Sequence, residues 1–137
     1  MSDFAPVGVS LPVTDELAVP DLVRLAVVAE EEGYHTVFLG EIGGSEAFAT
    51  LGAIAQATGR IRLATGIVSV MLRTPALIAM GFRTLDGLAP GRIVCGLGVG
   101  SRAISEGWHG IPFEDTPQVL AETVDALRPA FAGERIT

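Results

Sequence analysis

The chain has 137 residues, 49% of them hydrophobic, with nine basic side chains against sixteen acidic ones and a formal net charge of −7. That length is one domain with room for a core, and the acidic balance, without a single lysine, excludes the concentrated basic face of a nucleic-acid binder. No uncharged stretch approaches the ~20 residues of a membrane span, and a lone cysteine, Cys95, excludes an internal disulfide.

The start, Met1-Ser2-Asp3, is acidic where a secretory signal is basic, so a soluble, cytoplasmic protein is expected. Val7 to Leu11 reads as a first strand. Asp21 follows Pro20, and Leu22, Leu25, Ala26 and Ala29 then share one helical face. Glu30, Glu31 and Glu32 read as a solvated helix end, stopped by Gly33. Thr36 to Gly40 is the second strand. Ser45 is expected to cap a helix with Phe48, Leu51, Ile54 and Ala55 on one face, ending at Gly59.

Ile61 to Ile67 is the third strand. Thr74-Pro75 opens a helix with a cap followed by proline at its first position, and Leu77, Ile78, Gly81, Phe82 and Leu85 form its buried stripe. Ile93 to Leu97 is the fourth strand, with Cys95 expected as a packed core thiol. Thr116-Pro117 repeats the capping device before a helix carrying Leu120, Thr123, Val124, Leu127 and Phe131.

A near-repeat orders these elements. Gly59-Arg60-Ile61-Arg62-Leu63-Ala64-Thr65-Gly66-Ile67 returns as Gly91-Arg92-Ile93-Val94-Cys95-Gly96-Leu97-Gly98-Val99. The spacing is that of one βα unit. The expected fold is α/β, four consecutive βα units without an internal boundary. Such units form either a small open parallel sheet or half of an eight-stranded barrel, which takes ~250 residues.

Ligands in parallel sheets bind at the carboxyl ends of the strands. The second end gives Gly40-Glu41-Ile42-Gly43-Gly44, where the acid either faces a ligand or is a solvated carboxylate in a flexible loop. The third gives Gly66-Ile67, where glycine permits close backbone approach or a bend. The fourth gives Gly96-Leu97-Gly98-Val99-Gly100-Ser101, and then Glu106-Gly107-Trp108-His109-Gly110. Its glycines lack the tight strand-turn-helix setting of a dinucleotide fingerprint. Trp108 offers a flat face to a ring and His109 a proton carrier, or the pair plugs the loop onto the rim. His35 precedes the second strand, at the far end, and reads as a surface residue. No Cys/His or carboxylate cluster has metal-ligand spacing, so no metal is expected.

These segments together resemble the bacterial-luciferase-like superfamily, in its branch of coenzyme F420-dependent oxidoreductases. The resemblance runs through Glu31-Glu32-Gly33-Tyr34, Val37 to Glu41, Ala57 to Gly66, Leu72-Arg73-Thr74-Pro75, Leu85-Asp86-Gly87-Leu88 and Glu106 to Gly110. It implies the N-terminal half of a (βα)8 TIM barrel, with a luciferase-like domain spanning 1–137 and the cofactor across the carboxyl face. It implies a non-prolyl cis peptide in the third strand, at Gly66-Ile67 by position.

Carried over residue by residue, the resemblance makes Glu41 and His109 catalytic and Gly40, Gly66, Ile67, Gly98, Gly100 and Trp108 cofactor-binding. Two departures stand out: Ile42 replaces a histidine found in many members, and Thr74 another before Pro75. The chain stops at Gly133-Glu134-Arg135-Ile136-Thr137, where members enter an insertion, so strands five to eight are not expected here. The implied activity is hydride transfer between a small-molecule substrate and F420 in a complete barrel, the 137-residue chain alone being inactive. An FMN-dependent monooxygenase acting on paired donors with molecular oxygen is the alternative. A non-catalytic half-barrel assembled with another subunit is the alternative of another class. A homo-oligomer that binds neither nucleic acid nor membrane is expected.

Overall fold

Each Gly-Arg turn delivers the chain into a short parallel strand, and a helix carries it back. A computed structural model describes residues 6–13 and 16–134. Met1-Ser2-Asp3 and Arg135-Ile136-Thr137 lie outside the described residues. The strands are β1 (Gly8–Ser10), β2 (Thr36–Leu39), β3 (Arg62–Thr65), β4 (Val68–Ser69), β5 (Ile93–Val94) and β6 (Leu97–Gly98). The helices are α1 (Val19–Glu31), α2 (Ala47–Ala57), α3 (Pro75–Leu88), α4 (Arg102–Gly107) and α5 (Thr116–Phe131). β1, β2, β3 and β5 form one sheet in that order, β4 pairs with β6, and every one of these pairs is parallel. Parallel neighbours need a crossover, and α1, α2 and α3 supply it.

Register separates two rows of side chains. Val9, Val37, Leu63 and Ile93 align across the sheet and pack with Leu22, Ala26, Leu51, Ile54 and Leu85 from the helices. Val37 and Leu63 are fully enclosed there. The alternate row, Ser10, Phe38, Ala64 and Val94, points to the opposite face, since side chains alternate along a strand. On that face Phe38 is 37% exposed.

Several sequence expectations shift at this point. The third and fourth strands are each broken in two, β3 from β4 and β5 from β6. The buried stripes are narrower than the apolar patterns: Leu25, Leu77 and Phe131 are exposed, while Ala79 and Ala130 are buried. Small residues share the buried face with Ile78, Phe82, Leu85 and Leu127. At Gly81 a Cβ would meet the Phe48 ring at 2.7 Å. The cap of α2 is Glu46 rather than Ser45: its Oε2 accepts from the Ala49 amide at 2.7 Å. The cap position of α5 is Asp115, in a left-handed conformation, so Thr116 and Pro117 are already inside the helix. Arg102 to Gly107, read as loop, is a short helix capped by Ser101.

Cys95 is exposed rather than packed in the core, because it sits in the gap between two two-residue strands at the end of the sheet. Partial enclosure of the sulfur beside Phe82, Ile93 and Phe131 still pushes its thiol up to about 11. A thiol held that high is no nucleophile at neutral pH.

Glu30 is not a solvated helix end either. Its carboxylate accepts from the amides of Gly59 at 3.1 Å, Arg60 at 2.6 Å and Ile61 at 2.7 Å. This ties the end of α1 to the turn that launches β3. Burial works against ionisation, but the three amides and the nearby Arg60 charge outweigh it and hold the carboxyl below its ordinary range. A depressed carboxylate stabilises the fold above its unfolded pKa of roughly 4.3 and loses that contribution as pH falls through the folded value. Glu30→Gln should therefore cost on the order of 1 kcal/mol at pH 7, discounted for solvent access. Urea melts from pH 7 to pH 3 check this: the difference from the parent should vanish at the acid end.

Candidate functional site

The carboxyl ends of β2, β3 and β5 meet on one rim, and a single threonine organises it. Between β3 and β4 the Gly66–Ile67 peptide bond is cis, at the position the resemblance implies. Thr65 bridges the break between the two sets of paired strands. Its Oγ1 donates to the Gly96 carbonyl at 2.7 Å and accepts from the Gly96 amide at 2.9 Å. The same carbonyl accepts from the Val68 amide at 3.1 Å, which starts the β4–β6 pair. Gly96 has no room for a side chain, because a Cβ would overlap the Thr65 carbonyl oxygen.

Gly40, Gly66, Ile67, Gly98 and Gly100 converge around this junction. Gly40 is buried beneath the Gly66 carbonyl, which would lie 3.0 Å from a Cβ. Gly66 is itself exposed and backs onto Phe38, whose Cβ would be 3.2 Å away. Gly98 lies under Ile67, whose Cδ1 would be 2.9 Å from a Cβ there. Gly100 has φ of +71° and faces the Ser69 hydroxyl, which donates to the Val99 carbonyl at 3.1 Å. The surface left by these residues is backbone, one phenyl ring and one aliphatic side chain.

Glu41 stands beside this surface, but its carboxylate is engaged. Arg73 donates to its Oε1 at 2.6 Å and to its Oε2 at 3.4 Å, and the Ala47 amide donates to Oε1 at 3.2 Å. Arg73 also reaches Glu46 Oε1 at 2.8 Å and lies over the Phe48 ring at 5.1 Å. Burial disfavours the guanidinium charge, but the hydrogen bonds and charges of Glu41 and Glu46 raise its pKa above the usual arginine value. One base between two acids closes the loop after β2 onto the loop before α3.

The loop after β6 reaches the same place. A Cβ on Gly43 would lie 2.8 Å from Trp108 Cζ3 and 3.0 Å from Cη2, so the indole rests on Gly43. Trp108 remains 63% exposed. His109 is exposed, and its imidazole has no hydrogen bond among the described residues. Arg102 pairs with Glu106, donates to the Phe113 carbonyl at 2.9 Å and lies over the Phe113 ring. His35 sits at the other end of the sheet, 2.9 Å from the Thr36 hydroxyl. Among the described residues no cluster of His, Cys, Asp or Glu could hold a metal ion.

Thr65, Gly43 and the Arg73–Glu46 contact are the parts that sequence reasoning missed. Thr65 and Gly96 occupy successive positions in the two copies of the near-repeat, which is the one signal that bore on them. The arginine's partners lie 27 and 32 residues away and leave no local pattern.

A family profile described as luciferase-like monooxygenase matches residues 2–137. A Mycobacterium tuberculosis protein, provisionally named a coenzyme F420-dependent oxidoreductase, is 40% identical over 114 residues, covering 81% of this chain and 32% of that protein. An F420-dependent glucose-6-phosphate dehydrogenase of Beutenbergia cavernae is 34% identical, covering 90% and 40%. The crystal structure of monooxygenase RslO1 from Streptomyces bottropensis superposes with a TM-score of 0.81 at 27% identity, covering 91% and 42%. The chain thus spans well under half the length of the proteins it matches.

The junction makes its own prediction. Thr65→Val leaves the Gly96 amide without its partner and the Gly96 carbonyl with the Val68 amide alone, and should cost about 1–3 kcal/mol. Gly96→Ala, which forces backbone apart, should cost about as much or more. Gly87→Ala, in open space within α3, should instead stabilise by about 0.5–1 kcal/mol. Urea denaturation of the three variants checks the order.

Proposed function

The chain belongs to the luciferase-like monooxygenase family, and on that premise we propose that it is the N-terminal half of a (βα)8 barrel, one domain over 1–137, in an F420-dependent oxidoreductase. The names of the two relatives at 40% and 34% identity support the cofactor. The observation that carries the reading is the uncluttered rim: Phe38, the exposed Gly66 peptide, Ile67 and Gly98 leave a flat, uncharged floor that fits a planar ring system. Substituents at Gly40, Gly66, Gly98 or Gly100 would break it up.

F420, when bound, supplies the hydride chemistry. The chain's residues place and shield. Gly40, Gly66, Ile67, Gly98 and Gly100 let backbone approach the ring, and Trp108 closes the side of the floor. Glu41, with its oxygens engaged by Arg73 and Ala47, works by fixing the loop that carries Ile42 and Gly43. His109 is the group free to carry a proton to or from the substrate. Both rim arginines are spent on carboxylates, so the anionic tail of F420 finds its partners elsewhere in the complete barrel.

The same reading supplies the assembly. β1 and β5 end the sheet, and Phe38, on the face away from the helices, is 37% exposed. Open edges and an exposed apolar face favour association, so the chain forms a homo-oligomer. Among the described residues no helix is long and apolar enough to cross a membrane, in keeping with a cytoplasmic enzyme.

Likeness to the monooxygenase RslO1 favours a second reading, a monooxygenase, for which the sequence resemblance makes FMN the cofactor. Cofactor fluorescence separates the two, with F420 and FMN titrated into the longest natural polypeptide that carries these residues. Saturable binding of F420 and none of FMN is expected. The reverse would replace the first reading with the second, and binding of neither would reject both.

A further inference from the structure

Two glycines from different parts of the sheet face the same ring. Gly8 is in register with Thr36, so Phe38 stands diagonally across from it, a separation an aromatic side chain can span. A Cβ on Gly8 would lie 2.6 Å from Phe38 Cε2 and 3.3 Å from Cδ2. A Cβ on Gly66 would lie 3.2 Å from Phe38 Cβ and 3.7 Å from Cδ1. One edge of the ring thus rests on β1 and the other on the peptide that follows β3. Neither glycine has the positive φ that favours glycine, so in both places it is the ring that excludes a side chain. Within a strand an alanine would otherwise be the better residue.

We propose that Phe38 is a positioning residue for the cofactor floor: it sets the height of the Gly66 peptide, and Gly8, at the amino end of β1, sets the ring. The inference rests on the F420 reading above and adds to it a control point away from the rim. A phenyl ring is flat and stiff, so its two edges move together. Close-packed groups pass strain on to their neighbours. A methyl on Gly8 would press on the Cδ2–Cε2 edge, and the Thr36 carbonyl oxygen, 3.1 Å from that methyl, blocks its retreat. The ring then turns toward Gly66, whose amide donates to the Leu39 carbonyl at 2.8 Å. That hydrogen bond weakens, and the floor shifts with it.

Hydrogen exchange of the Gly66 amide in the cofactor-free protein reads the wedge, and the F420 midpoint reads its use. Both are measured on the longest natural polypeptide that carries these residues. Gly8→Ala should speed Gly66 exchange roughly tenfold and raise the F420 midpoint by a similar factor. Phe38→Leu, which removes the ring and keeps an apolar side chain, should raise the midpoint as well. Adding Gly8→Ala to Phe38→Leu should change neither quantity further, because the methyl no longer meets a ring. Unchanged exchange in Gly8→Ala, or the same effect with and without the ring, overturns the wedge. Faster exchange with an unchanged F420 midpoint overturns the positioning role. Should Gly8→Ala fail to fold, it must fold in the Phe38→Leu background; failure in both means that the backbone rejects the methyl, and the proposal falls. A parent that binds no F420 rejects the cofactor reading, while Gly66 exchange still decides the wedge.

Discussion

The rim depends on one hydroxyl group. Where the third strand breaks, the regular ladder does not continue from β3 to β5, and without Thr65 the Gly96 amide would lose its partner and the carbonyl would keep only the Val68 amide. Thr65 Oγ1 meets both, donating to the carbonyl and accepting from the amide. A hydroxyl is among the few side-chain groups able to do both at one atom. With that exchange in place the chain re-enters pairing as β4 and β6. The Gly66–Ile67 segment is thereby held between Phe38 and Gly98.

Around that fixed point the loops are tied by charge on one side and by packing on the other. Arg73 binds two carboxylates from the loop after β2, and Gly43 in the same loop takes the indole arriving after β6. Each contact joins segments distant in sequence. Together they tie the loops of the rim to one another and pair its two arginines within the chain. Such a rim suits a redox site, where the bound cofactor does the chemistry and the protein orients it and keeps water out.

Much of this was legible in the sequence. The Gly-Arg repeat located β3 and β5, Thr74-Pro75 located the start of α3, and the glycines of the second, third and fourth strand ends do converge on one rim. The misreadings share a cause: they concern side chains whose partners are far away. Glu30 looked solvated because its three amides begin 29 residues later. Cys95 looked buried because an apolar run does not reveal that its strand is broken and lies at the end of a sheet. Glu41 looked free because nothing near it in sequence announces Arg73. Periodicity reports faces, whereas pairing across the fold needs the fold.

The open face is the largest consequence. Phe38, with Ala64 and Val94 beside it in register, belongs by pattern to a barrel interior, yet Phe38 is more than a third exposed. The helices cover the other row, and nothing among the described residues pairs with the outer edges of β1 and β5. The half-barrel proposed above would gain by burying Phe38 and its open sheet edges against another copy. Multi-angle light scattering of the purified 137-residue chain measures this most directly. A dimer or larger species is the predicted result, and a stable monomer across the concentration range would contradict the half-barrel and make the chain a self-sufficient domain.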